Sequence, residues 1–322
     1  MHIFIVILMY ATWSSVFSLG KIALDISPPL FLTGARMLLA AGLLLGFLFL
    51  RNRKSLLLNL KQLFALSLFA LFGMYLTNAL EFWSLQHLSA AKTCFIYSLC
   101  PFFAALFSYL HFNEKMNLRK WIGMAIGFIG FIPVLALQKG SEQLISGFSF
   151  LSWPELAMMG AALCTSYGWI LLRVLVKDSV SPLVANGFGM LIGGIIALGH
   201  SYLVDPWNPT PIASTDWPAF TQGILMMTLI SNILCYNLYG LMLKKFTATF
   251  VSFMGLLSPI FASLLEWLFI GTAPSPVIFI STAIVSCGLW IVYSAELRQG
   301  YIVKAQAANA PSAPISVESA ER

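Results

Sequence analysis

Charged side chains are scarce in this protein. Lysine, arginine, aspartate and glutamate together make up 9% of its 322 residues, whereas 59% of the residues are hydrophobic. A water-soluble domain carries roughly a quarter charged residues, because its surface has to be solvated. The composition therefore excludes a soluble globular protein. It predicts an all-α integral membrane protein whose helices are surrounded by a lipid bilayer.

Motifs of catalytic and metal-binding sites are also missing. The sequence contains no HExxH motif, no GxSxG motif and no Walker-type loop, and its four histidines lack the spacing of metal ligands. The five cysteines all lie in apolar runs and include no CxxC pair, so buried thiols are expected rather than disulfides. These absences predict that the protein is not an enzyme and carries no metal ion or other cofactor.

Ten apolar runs have about the length of 20 residues that a transmembrane helix needs. The first run has no basic segment before it and no clear cleavage site after it, so we interpret it as a retained helix. The predicted helices span residues 2–20, 29–50, 63–86, 89–111, 119–137, 154–175, 182–204, 217–243, 246–270 and 274–295.

Basic residues are unevenly divided between the two sets of loops. One set and the C-terminal tail hold nearly all of them, whereas the other set holds only Lys21 and Lys139. Because lysine and arginine accumulate in cytoplasmic loops, both termini are predicted to be cytoplasmic, in a multi-pass protein of the inner (plasma) membrane. The same rule accounts for the net charge of +6, so no nucleic-acid partner is predicted.

The second half of the chain repeats the first. The segment around Pro101 aligns without gaps with the segment around Pro259, at an offset of 158 positions that holds for helices 3–5 and 8–10. Each half has five helices, an odd number, so the second half crosses the membrane in the opposite sense. Such a 5+5 inverted repeat is common among secondary transporters. The predicted units are repeats at 1–138 and 153–295 and a disordered cytoplasmic tail at 296–322.

Pro101 and Pro259 are predicted to kink helices 4 and 9, because proline has no N–H group and its ring clashes with the preceding turn. Broken backbone is tolerated at membrane depth where protein or a water-filled cavity covers it. We therefore expect both prolines to act as hinges beside a central path, although each is also compatible with an ordinary packing kink.

Four charged residues lie within the predicted helices: Arg36, Glu81, Lys92 and Glu266. A charge in hydrocarbon is costly, so each should face a cavity, find a partner or extend to the interface. Two readings stay open at this point. The acids and bases either pair and hold an outer gate closed, or bind the charged ends of an amphoteric solute.

Polar and aromatic residues accompany these charges along the helices, as the wall of a partly aqueous cavity requires. For any one of them, a place in the interfacial aromatic belt or in a hydrogen bond between helices is the commoner role. With the four charges, the candidate substrate-binding residues are Trp13, Ser14, Asn78, Tyr97, Tyr167, Tyr236, Asn237 and Tyr239.

Several motifs resemble the EamA-domain family of the drug/metabolite transporter superfamily: LSAAK at 88–92, PFFAAL at 101–106, NEKM at 113–116 and KWIGMAIGFIG at 120–130. Trp13-Ser-Ser and Arg36 also resemble that family, and the similarity covers residues 3–295. It implies secondary transport of a small polar metabolite by alternating access. A weaker similarity, to bacterial S-adenosylmethionine transporters, implies an amino-acid-like substrate.

The second half departs from the family pattern. The family often has a glutamate after helix 9, whereas this chain has Gly271-Thr-Ala-Pro, and Gly189 stands where the first half has Arg36. The two halves have therefore specialised. The alternatives to a metabolite transporter are a drug or amino-acid exporter of the same fold, and a membrane channel or scaffold without transport activity. The sequence leaves the oligomeric state open.

Overall fold

The computed structural model describes residues 2–88, 93, 96, 97, 99–137, 152–258, 260, 261, 264 and 276–301, and these residues contain helices but no β-strand. The helices are α1 (His2–Leu24), α2 (Pro29–Arg51), α3 (Leu60–His87), α4 (Cys100–Phe112), α5 (Leu118–Leu137), α6 (Trp153–Lys177), α7 (Pro182–Val204), α8 (Trp217–Met242), α9 (Ala248–Met254) and α10 (Pro276–Arg298). A 3₁₀ turn, Gly255–Leu257, continues α9.

Six of these helices are long and apolar enough to cross a membrane: α2, α3, α6, α7, α8 and the Ile280–Arg298 part of α10. Three further apolar helices are shorter over the described residues, namely His2–Val16, Cys100–Phe112 and Ala248–Leu257. Large apolar side chains also face outward, such as Leu50, which is 84% exposed, and Leu203, which is 81% exposed. The protein is therefore a multi-pass membrane protein. The count of ten spans and the sidedness of the termini stay predictions.

Local signals explain where the helices begin. Asn59 and Gln62 form a reciprocal capping box before α3, in which each side chain accepts a hydrogen bond from the backbone N–H of the other. Pro29 and Pro182 occupy the first positions of α2 and α7, where a missing N–H costs no intrahelical hydrogen bond. The predicted boundaries of most helices lie within three residues of those observed, and α1 is longer by four.

Helices α3 and α8 each contain a π-helical segment that the sequence did not predict. The segments are Ala70–Leu76 and Thr228–Cys235, and their first residues are separated by the repeat offset of 158 positions. A π-helical segment is rare and often lies at a functional site. In both helices it comes directly before residues that line the central cavity described below.

Helices that correspond in the two predicted repeats pack against each other, α2 on α7 and α5 on α10. The contact between α5 and α10 is close because small residues face each other: a Cβ atom on Gly288 would lie 2.6 Å from the carbonyl oxygen of Gly123. Such contacts replace the hydrophobic effect as the source of helix association in a membrane. Gly123 and Gly288 therefore allow the backbones of α5 and α10 to pack closely.

Within the described part of the chain, two buried ion pairs connect the first half to the second. The ammonium group of Lys120 lies 3.0 Å from Glu296, and both side chains are 0% exposed. The guanidinium of Arg173 lies 2.6 Å from Glu114. Lys120 and Arg173 lie near the ends of the predicted helices 119–137 and 154–175, Glu114 lies between predicted helices, and Glu296 is the first residue of the predicted tail. Instead α10 continues to Arg298 and buries Glu296, so the predicted tail begins too early.

Candidate functional site

A cavity lies between helices α1, α3, α6, α8 and α9, with Arg36 of α2 also reaching it. The atom-free space of the cavity and the open solvent at its mouth together amount to about 960 Å³. The predicted site residues that line it are Trp13, Arg36, Asn78, Glu81, Tyr97, Tyr236 and Tyr239. The structure thus gathers residues from four different helices of the two halves into one place.

Arg36 is the cationic group of this cavity, and it is only 2% exposed. Its Nη2 atom donates a hydrogen bond to Asn78 Oδ1 at 2.5 Å, and the guanidinium carbon lies 4.9 Å from the centre of the Phe82 ring. Its Nε atom has no hydrogen-bond partner among the described residues. No carboxylate of those residues forms an ion pair with it. The guanidinium of Arg36 is therefore held in place without a direct ion-pair partner, and Glu81 on the same cavity wall attracts it from beyond ion-pair distance.

Glu81 supplies the anionic group on the same cavity wall. The hydroxyl of Tyr97 donates to Glu81 Oε2 at 2.9 Å. Thr165 Oγ1 lies 2.8 Å from the same tyrosine hydroxyl and 3.1 Å from Thr77 Oγ1, so a chain of hydroxyl groups extends from the carboxylate into the protein. A carboxylate oriented by one neutral donor keeps capacity for a cationic ligand.

Aromatic rings form the wall of the cavity nearest α6 and α8. The Trp169 and Tyr239 rings stack with centroids 3.9 Å apart, and Tyr236 lies 5.3 Å from both Trp169 and Trp13. The hydroxyl of Tyr239 lies 2.8 Å from Ser252 Oγ, which fixes the ring against α9. Together these rings present π-faces and edges suited to a planar base or to an organic cation.

Three predicted site residues do not line the cavity. The single hydroxyl proton of Ser14 is shared between the carbonyl oxygens of Tyr10 and Ser258, which lie 2.7 and 3.0 Å from Oγ, and this connects α1 to the end of α9. The ring of Tyr167 packs instead between Phe72, Phe107 and His111.

Asn237 likewise has a packing role. Its Oδ1 atom accepts from Asn186 at 2.9 Å, and its amide donates to the Ile233 carbonyl at 2.7 Å, at the contact between α7 and α8. It follows a π-helical segment, whose wider turn changes which face of α8 later residues occupy.

The predicted hinges and the remaining charges have different outcomes. Pro101 stands in the first turn of α4, which begins at Cys100, and not in the middle of a continuous helix over 89–111. In a first turn the missing N–H breaks no helical hydrogen bond. The helix described here therefore begins at Cys100, and a hinge role for Pro101 stays a prediction. Lys92, Pro259 and Glu266 lie outside the described residues.

Buried polar residues close the opposite end of the bundle, a role that the sequence alone does not predict. Thr247 Oγ1 lies 2.7 and 2.6 Å from the two carboxylate oxygens of Glu296, beside its ion pair with Lys120. Tyr301 covers the Lys120 ammonium with its ring at 4.7 Å and accepts from the Lys115 backbone N–H at 2.9 Å. Water is therefore excluded from this contact.

Comparison with known proteins gives the family. Residues 1–136 and 152–294 match the EamA-like transporter family. The chain belongs to this family. The resemblance predicted from the motifs is confirmed, and the EamA protein is a membrane transporter and not an enzyme. Among the described residues, no three histidine, cysteine, aspartate or glutamate side chains are grouped as metal ligands.

Relatives of this EamA protein include two with a named substrate. The chain is 38% identical over 308 residues to a protein of Chlamydia muridarum named "S-adenosylmethionine/S-adenosylhomocysteine transporter", covering 95% of this chain and 96% of that one. It is equally identical to the protein of the same name from Chlamydia trachomatis serovar L2, 93% of which is covered. An uncharacterised transporter of Bacillus subtilis, YoaV, is 23% identical over 282 residues, with 87% and 92% of the two chains covered.

A solved crystal structure has the same fold. It superposes with a TM-score of 0.70 at 18% identity, and the match covers 92% of the EamA protein and 96% of the other chain. At this identity the likeness concerns the fold alone. It supports the helix arrangement that brings Arg36, Glu81 and the aromatic wall to one cavity.

Proposed function

We propose that this EamA protein is a secondary transporter of the inner membrane that moves S-adenosylmethionine and S-adenosylhomocysteine, or a closely similar amphoteric metabolite, by alternating access. In this proposal ten helices form a 5+5 inverted repeat with both termini in the cytoplasm. The observation that carries the proposal is the cavity in which Arg36, which has no ion pair within the described residues, the carboxylate of Glu81 and a wall of aromatic rings come together.

The chemistry of the cavity matches that of the substrate named for the chlamydial relatives. S-adenosylmethionine carries a carboxylate, an ammonium group, a sulfonium group and a planar base. Arg36 would attract the carboxylate and Glu81 a cationic group, since each is already oriented by a neutral partner. The rings of Trp13, Trp169 and Tyr236 would contact the base or the sulfonium.

Alternating access is supported by a difference between the two ends of the helix bundle: the cavity lies toward one end, and buried ion pairs close the other. The cavity-lining part of α3, from Asn78 to Leu85, lies far along the helix from Lys61, on the side predicted to face outward. The two buried ion pairs lie at the other end, where the basic loops predict the cytoplasm. Opening that end requires both pairs to separate and become hydrated. This conformation would then be one of two that expose the cavity in turn.

Counterflow in proteoliposomes tests the proposal. Vesicles that contain the purified protein are loaded with unlabelled S-adenosylhomocysteine, and the entry of labelled S-adenosylmethionine is followed. Saturable accumulation is expected in the wild type and not in Arg36→Ala, whose loss removes the only cation of the described cavity wall. Arg51→Ala, which removes an exposed arginine from the end of α2, is the matched control and should retain accumulation.

Two other functions predict different results in that assay. A drug or amino-acid exporter of the same fold would accumulate labelled amino acids or organic cations in place of the adenosyl compound. A scaffold, in which Arg36 serves only packing, would give no saturable flux of any solute. The absence of an ion-pair partner for Arg36 among the described residues favours a ligand role over packing alone.

A further inference from the structure

The carboxamide of Asn78 occupies the centre of the polar contacts in the cavity wall. Its Oδ1 atom accepts from Arg36 Nη2 at 2.5 Å, while its Nδ2 atom donates to the carbonyl of Met74 at 2.8 Å. The same nitrogen lies 3.5 Å from the hydroxyl of Tyr236. Asn78 is only 2% exposed, so all of its hydrogen-bonding capacity is directed at protein groups or at the cavity.

Hydrogen bonds on both sides of this carboxamide, which follows the π-helical segment, determine which way it points. The N–H of Thr77 bonds to the carbonyl of Phe72, five residues earlier, which is the pattern of a π-helix. The carbonyl of Met74 accepts from the Asn78 side chain. Turning the carboxamide over would oppose its oxygen to that carbonyl and its NH₂ group to the guanidinium. Both contacts would be repulsive, so the oxygen must face Arg36.

A neutral acceptor at this position has a chemical consequence that an acid would not have. An aspartate opposite Arg36 would form a charge-assisted pair and cancel the charge of the guanidinium inside a buried site. Asparagine orients the guanidinium but leaves the net charge of Arg36 in the cavity. The Nε atom without a partner among the described residues and the absence of a neighbouring ion pair agree with this.

We propose that Asn78 is a positioning residue that keeps Arg36 free of a direct ion-pair partner within the protein, so that the carboxylate of the substrate supplies it. This inference rests on the proposed function for the identity of the substrate, but not for the state of Arg36. The transporter would thus select amino-acid-like compounds that carry a carboxylate over compounds of otherwise similar shape that lack one.

The first test measures Arg36 directly. The purified full chain is treated with phenylglyoxal, an arginine reagent, and the modification of Arg36 is quantified by peptide mass spectrometry with exposed Arg51 as the internal standard. Modification of Arg36 is expected in the wild type and should fall on the order of tenfold in Asn78→Asp, because the new carboxylate pairs with the guanidinium. Equal modification of Arg36 in both proteins, including none in either, overturns the inference.

A matched variant controls for the introduction of an acid into the membrane core. Asn186→Asp changes a fully buried asparagine that contacts Asn237 and not Arg36. It should leave the reactivity of Arg36 unchanged, and a similar loss of reactivity would also overturn the inference. Retention of the folded state by each variant is checked by its elution volume in size-exclusion chromatography.

The second test uses substrates with and without the carboxylate. In proteoliposomes, Asn78→Asp should raise the KM for S-adenosylmethionine on the order of tenfold while leaving inhibition by its decarboxylated analogue within about twofold. An equal loss for both compounds contradicts the inference. If the wild type does not transport S-adenosylmethionine but Arg36 becomes unreactive in Asn78→Asp, the proposed substrate is wrong and the positioning role of Asn78 stands.

Discussion

Asn78 Nδ2 lies 3.5 Å from the hydroxyl of Tyr236, and these two residues are separated by 158 positions, the offset of the sequence repeat. Equivalent residues of a two-fold repeat come this close only when both lie beside the symmetry axis. In the proposed inverted repeat, the cavity would therefore lie at the pseudo-two-fold axis, where inverted-repeat transporters bind their substrates. The side chains of these two residues are chemically different, an amide and a phenol. The repeat therefore relates the backbone positions around the site but not the side chains that form it.

Replacement of Glu81 by glutamine should weaken the binding of cationic substrates. Glu81→Gln keeps the shape of the side chain but removes the negative charge that Tyr97 orients. We expect the KM for S-adenosylmethionine to rise by about tenfold or more, because a charge-assisted contact becomes a neutral one. Initial uptake rates in proteoliposomes measure this. Asp25→Asn, at an exposed residue after α1, is the control, and an unchanged KM in Glu81→Gln would exclude a role in binding.

Separation of the Glu114–Arg173 pair should destabilise the protein more when one partner is removed than when both are. Glu114→Gln alone leaves a buried guanidinium without its carboxylate, at a cost of about 3–5 kcal/mol. The double variant Glu114→Gln/Arg173→Gln should recover part of the lost thermal stability in detergent, as measured by the midpoint of unfolding. Equal midpoints for the single and double variants would argue against a coupled pair.

Replacement of Trp13 should affect substrates with a planar base more than free amino acids. The Trp13 ring contacts Trp169, Tyr236 and Tyr239 on the cavity wall. Stacking of a base on an aromatic ring contributes about 1–3 kcal/mol, so Trp13→Leu should raise the KM of the adenosyl compound about tenfold. Competition by methionine in the same vesicles provides the comparison. Parallel losses for both compounds would indicate a packing role for the ring.

The sequence predicted the membrane class, the family and seven residues of the cavity wall. These residues could be predicted because placing a charge or a polar aromatic side chain in hydrocarbon costs free energy, and such a residue within an apolar run can be recognised from the sequence alone. Arg36 and Glu81 are the clearest cases. Their orientation was not accessible, since it depends on Asn78 and Tyr97, which contact them from sequence distances of 42 and 16 positions.

The burial of three charged residues could not be predicted from the sequence, for one physical reason. Lys120, Arg173 and Glu296 lie near the ends of apolar runs, where a charge ordinarily reaches water and reports orientation. Only packing between the two halves reveals that all three are buried.

Asn237 lies outside the cavity for another reason. The face of α8 that it occupies follows from helical phase, and the preceding π-helical segment changes that phase without a clear sequence signal. Tyr167, in the regular helix α6, packs against Phe72, Phe107 and His111, contacts that only the fold reveals.

The π-helical segments of α3 and α8 make the site sensitive to the number of residues that precede it. An α-helix turns by about 100° per residue, so the loss of one residue from Ala70–Leu76 would rotate everything after it by that angle. Asn78 and Glu81 would then leave the cavity without any change in their identity. The position of the binding residues therefore depends on the number of residues in the π-helical segment as well as on which residues are present. A single-residue deletion is ordinarily mild in a surface loop. In this segment it would turn a different face of α3 toward the cavity.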